Sequence, residues 1–139
     1  MRIASGLFVL AALVVAGCGS KAAEPTKLTG LQEYPSAQAL ADDLTKHGHK
    51  CDMEQLRGGM NSTDSGRCYV NGKEMILAIY TSQSQIDKQL AFDEDFYRMG
   101  KFTEYGTLVG KNWTINCGSR AACTELQKDL GGSITAPLG

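Results

Sequence analysis

Histidine and tryptophan are nearly missing from this chain, at 2 and 1 of 139 residues, and proline is scarce at 3. No charge of one sign dominates: 14 Lys plus Arg stand against 15 Asp plus Glu, a net of -1. Each shortage excludes something. Without clustered cations there is no field to gather phosphates, so no nucleic-acid partner is expected. The only histidines, His47 and His49, are two residues apart. A His-based nucleophile would have to use one of them. No G-x-S-x-G, Walker loop, H-E-x-x-H or G-x-G-x-x-G occurs, so no enzyme and no cofactor is expected. Long apolar runs are also wanting. The one that exists, Leu7 to Ala16, covers about 15 Å as a helix, half of a bilayer's hydrocarbon core.

That run has the form of an export signal: Arg2 before it, then ten apolar residues, then Val15-Ala16-Gly17-Cys18. Small residues before a cysteine form a lipobox, which predicts cleavage after residue 17 and lipid on Cys18. The competing reading is an uncleaved anchor from Ile3 to Gly19. Either way the remainder lies on the outer face of the cytoplasmic membrane, because Arg2 stays inside. A diacylglyceryl group anchors durably where a single acyl chain does not.

Residues 1–17 are therefore expected to be signal peptide, 18–34 lipidated cysteine and flexible tether, and 35–139 one α+β domain. Gly19 to Leu31 is small and polar with no apolar period. Ser36 caps a helix whose stripe is Ala37, Leu40, Ala41 and Leu44, closed by His47-Gly48. His49 to Met53 reads as a short strand and Arg57 to Ser65 as a loop. Asn71-Gly72 suits a type I′ turn between Arg67–Val70 and Lys73–Thr81. Val70 opposite Lys73 puts Cys68 opposite Met75, and Cys68, Val70, Met75, Leu77 and Ile79 on one buried face.

Ser84 is the expected cap of a second helix. Ile86, Leu90 and Tyr97 share one stripe, and Phe92, Phe96 and Met99 lie well round from it. A straight helix buries both poorly, which predicts a break or bend near Asp93 to Asp95. A second hairpin, Tyr105–Val109 with Asn112–Cys117, puts Trp113, Ile115 and Cys117 on one side. Ser119 then caps a last helix with Ala122, Cys123, Leu126 and Leu130 inward, closed by Gly131-Gly132. The expected fold is small: two β-hairpins and two to three helices, in the order α-β-β-β-α-β-β-α.

Setting Cys18 aside leaves four cysteines, and an even number in an exported domain implies disulfides. Short loops close at least entropic cost, which favours Cys51–Cys68 and Cys117–Cys123 over the two other pairings. No C-x-x-C is present to suggest zinc.

Three clusters remain. His47 to Met53 holds imidazole, thiol and thioether groups suited to Cu or Zn, with His47 and His49 as the ligands. A helix terminus plus a disulfide explains the same residues. Asp93-Glu94-Asp95 offers carboxylates, but successive helical residues turn by about 100° and cannot converge on one ligand. The third cluster is aromatic. Five rings fall between Phe92 and Tyr105, more than one helix can bury. Phe96, Tyr97 and Tyr105 are the candidate binding residues, since aromatic anchors dominate interface energies.

The lipobox, the two-by-two cysteines, Gly110-Lys111-Asn112-Trp113 before the last helix and the Leu130-Gly131-Gly132 ending resemble small exported lipoproteins of actinobacteria and of the phages that infect them. The resemblance implies lipid anchoring and carries over no functional residue. It adds one expectation at the level of class: superinfection exclusion, in which a prophage lipoprotein at the membrane blocks entry of phage DNA. The expected function is a non-catalytic envelope module that binds an envelope or phage protein. The alternative is a carrier of Cu, Zn or a small ligand.

Overall fold

The computed structural model describes residue 19 and residues 23–137. The signal peptide and Cys18 lie outside the described residues. Nine elements follow in order: α1 (Ala37–Lys46), β1 (Glu54–Leu56), β2 (Asp64–Val70), β3 (Lys73–Ile79), α2 (Gln83–Met99), β4 (Thr107–Val109), β5 (Trp113–Asn116), α3 (Arg120–Leu130) and β6 (Ser133–Thr135). The strands form one antiparallel sheet in the order β1-β2-β3-β5-β4-β6. The architecture is α+β, as the sequence indicates.

Alternation along the strands sorts side chains to two faces. On the first face Met75, Leu77 and Ile79 of β3 meet Trp113 and Ile115 of β5 and Leu108 of β4. Helices α1 and α3 cover this face with Leu40, Leu44, Leu126 and Leu130, all fully buried. Ser36 and Ser119 cap these helices, each hydroxyl accepting from the backbone N–H three residues on. Asp64 Oδ2 also accepts from Ala37 N at 2.7 Å, tying α1 to the start of β2. The β2–β3 register is the expected one, Val70 opposite Lys73 and Cys68 opposite Met75. Asn71 (φ 52°) and Gly72 (φ 76°) adopt the left-handed conformations that the turn requires. Cys51–Cys68 ties the segment after α1 to β2, and Cys117–Cys123 ties the end of β5 to α3.

Several expectations are corrected. The tether ends earlier than residue 34. Leu28 N donates to Asp129 O at 2.7 Å, Trp113 Nε1 donates to Gln32 O at 3.0 Å, and Tyr34 is buried. Glycine makes this docking possible: a Cβ on Gly30 would lie 2.2 Å from Gly132 N, and one on Gly131 would lie 2.4 Å from the Thr29 carbonyl carbon. The first strand is Glu54–Leu56, not His49–Met53, because Cys51 is held by its disulfide and Glu54 is the first residue to pair with β2. Strand β2 begins at Asp64, inside the expected loop. The cap of α2 is Ser82, whose hydroxyl accepts from Gln85 N. Strand β6 follows the Gly131-Gly132 turn and pairs with β4, where the sequence reading had the chain simply end.

Candidate functional site

Helix α2 lies on the second face of the sheet, and it runs unbroken from Gln83 to Met99. There is no break near Asp93 to Asp95, and only one stripe is buried. Ile86 is fully buried and Leu90, Asp93 and Tyr97 are partly buried along the same line, against Ala78, Tyr80 and Val109. The other stripe faces out: Phe92, Phe96 and Met99 are 47%, 52% and 76% exposed. Side-chain pairs one turn apart, Gln83–Asp87, Gln89–Asp93 and Asp95–Arg98, support the helix along its length.

The helix ends in a way that gathers rings. Lys101 takes the left-handed conformation, φ 55°. Phe102 N then donates to Tyr97 O at 2.9 Å, the six-to-one bond of a Schellman stop. The chain folds back, and Phe102 lands 5.7 Å from both Phe96 and Tyr97, ring centre to ring centre. Tyr105 stacks on Tyr97 at 4.3 Å, 9° from parallel. The structure thus brings Phe96, Tyr97 and Tyr105 together, with Phe102 as a fourth ring.

These rings are not equivalent. Phe96 and Phe102 are half exposed, whereas Tyr97 and Tyr105 are partly buried and cover each other's faces. Tyr97 Oη accepts from Asn116 Nδ2 at 2.6 Å, so it fastens α2 to β5. The outward surface is therefore Phe92, Phe96, Met99 and Phe102. The sequence puts Phe92, Phe96 and Met99 on one stripe, but of the four only Phe96 is among its candidate binding residues. The missed signal was Lys101: the stop falls one residue after Gly100, and that shift turns Phe102 back onto the helix.

Beneath α2 runs a polar seam. Tyr80 Oη and Thr114 Oγ1 share a hydrogen bond at 3.2 Å, and Gln89 Nε2 donates to Asp93 Oδ1 at 2.8 Å. Burial raises the Asp93 carboxyl above the usual carboxylate range, and the Gln89 bond opposes this only in part. Burial also raises Tyr80 and Tyr97, with the Asp93 charge adding to both. Nothing here sets a nucleophile against a base and an orienting group.

His47 and His49 point to separate partners. His47 Nδ1 lies 2.8 Å from Asp43 O and its Nε2 3.3 Å from Thr26 O; His49 Nε2 meets Asp129 Oδ2 at 2.7 Å. They do not converge on a common point. Among the described residues no group of three or more His, Cys, Asp or Glu side chains is placed to hold a metal ion. Among the described residues, also, no helix is long and apolar enough to cross a membrane. No protein-family profile, curated protein sequence or solved structure matches this chain.

Proposed function

We propose that this protein is a membrane-anchored envelope lipoprotein that works by binding another protein through the aromatic flank of α2, without catalysis. The observation that carries this reading is the row Phe92, Phe96, Met99 and Phe102, four large apolar side chains on one flank, each at least 47% exposed. Together they leave on the order of 400 Å² of apolar surface in water, within the range of the largest patch on an ordinary monomer, which is often a functional one.

The route of the chain supports the same reading. Thr26 sits beside His47 at the end of α1, on the first face, whereas the aromatic row is on α2, over the second. A lipid on Cys18 would attach from the first-face side. On that reading the aromatic row is on the side of the domain away from the attachment point, free to meet proteins in the envelope. Two buried disulfides fit an oxidising compartment.

The test uses full-length protein in its host membrane. A partner retained by the parent should be lost in Phe96→Glu/Phe102→Glu while the melting temperature falls by no more than a few degrees. Cys18→Ser should leave an unprocessed precursor. Retention of the partner by the double variant would overturn the surface assignment. Normal processing and anchoring of Cys18→Ser would overturn the lipoprotein reading.

A further inference from the structure

A second site lies on the opposite face, at the other side of the sheet from the aromatic row. Between α3 and the β2–β3 hairpin is a hollow of about 210 Å³. Its floor is Val70, Met75 and Leu126, all buried in the core, with Ala122 as one wall. Two small residues in α3, Ala121 and Ala122, leave the room, where larger side chains would have closed the gap over Met75. Engineered apolar cavities of about 150 Å³ admit benzene, so this volume suits one six-membered ring with a substituent.

The mouth of the hollow is polar, with Lys73, His49 and Glu125 around it. The β2–β3 register places Lys73 opposite Val70, on the same face as Met75 and therefore over the hollow. The carboxylates nearby are engaged elsewhere. Glu125 pairs with Lys128 at 2.8 Å, and Glu74, on the other face, pairs with Arg67 at 3.2 Å. His49, also at the mouth, is held by Asp129. Lys73 forms no ion pair among the described residues. An apolar floor below an ammonium with no ion-pair partner, beside a carboxylate already paired with Lys128, is complementary to a molecule with an apolar body and one negative charge.

We propose that this hollow binds a small monocarboxylic acid with an aromatic or branched apolar body, its ring on Met75 and Leu126 and its carboxylate at Lys73. The proposal is independent of the aromatic row, which lies on the other helix layer.

The probe is 4-methylbenzoate, titrated into isotopically labelled full-length protein in detergent and followed by amide chemical shifts. Shifts should concentrate at Asn71, Lys73, Ala121 and Ala122 and saturate at millimolar probe or below. Lys73→Gln, at an exposed position, should weaken binding about fivefold, the contribution of a solvent-facing ion pair. The uncharged isostere 4-methylbenzamide should bind more weakly by a similar factor. Ala121→Phe, also exposed, should fill the hollow and abolish binding with amide dispersion retained. Shifts that never saturate, or that fall on other residues, would overturn the site. Equal binding of benzoate and benzamide, or by Lys73→Gln, would overturn the assignment of an acid.

Discussion

On the first face of the sheet, two helices and two disulfides close over Leu40, Leu44, Leu77, Leu108, Trp113, Ile115, Leu126 and Leu130. On the second face a single helix rests on Ile86, with a seam of hydroxyls and one half-buried carboxylate under the rest of it. The first arrangement removes apolar surface from water on every side, at about 25 cal/mol for each Å². The second leaves its largest apolar side chains outside. A small domain keeps its stability in one layer and so leaves the other layer free to carry a surface that does not serve folding.

The largest effects should separate the two faces. Leu40→Ala opens a cavity in the closed core and should cost about 3 kcal/mol of global stability. Ile86→Ala should act differently. It removes the one fully buried anchor of α2, so the helix should undock while α1, α3 and the sheet persist. Hydrogen exchange would report this as lost protection confined to residues 83–99. Global unfolding by Ile86→Ala at the cost of Leu40→Ala would erase the distinction.

The disulfides come next. By chain entropy, Cys51–Cys68, with a separation of 17 residues, should contribute about 3 kcal/mol, and Cys117–Cys123, with a separation of 6, about 2 kcal/mol. Denaturant midpoints of the paired Cys→Ala variants test the order. Neither variant should change the exchange of α2 relative to the rest of the molecule, since both bridges lie in the first-face layer.

Much of the first face was legible in the sequence, and the reasons are local. Ser36 with Ala37, Leu40, Ala41 and Leu44 is a cap plus a 3.6-residue stripe, and Asn71-Gly72 fixes a hairpin register. Cysteines close in sequence limit their own pairing. The segment Leu28–Tyr34 was illegible because most of its contacts are to residues about 80 to 100 positions away, through glycines that permit close backbone approach as well as making a turn. Strand β6 was too short to show a period. The continuity of α2 was misread because the break rested on the assumption that both of its apolar stripes are buried. Phe92 and Phe96 break that assumption, and they break it at the candidate site.

Smaller effects sharpen the second face. Lys101 holds a left-handed conformation that favours glycine. Lys101→Gly should therefore stabilise α2 by about 0.5–1 kcal/mol while keeping Phe102 on Phe96. Thermal melts with ring-current shifts of Phe102 would check both halves of that statement.

Asp93 gives the smallest effect and a definite sign. Its carboxyl titrates higher in the folded domain than in the unfolded chain, so folding favours its protonated form. Docking of α2 is unburdened below the ordinary carboxylate pKa of about 3.9 and weakens as pH rises from there through the raised native value. Asp93→Asn keeps the oxygen that accepts from Gln89 and removes the charge. It should flatten the pH dependence of α2 protection between acid and neutral pH.

The central claim is that the outward flank of α2 is where this protein meets its partner. A photo-crosslinking side chain placed at Phe96, and separately at Gln38 on the exposed side of α1, tests it in intact cells. The account predicts one defined envelope-protein adduct from position 96, none from position 38, and loss of the adduct when Phe102→Glu is added. The same adducts from both positions, or an adduct at 96 indifferent to Phe102→Glu, would contradict it.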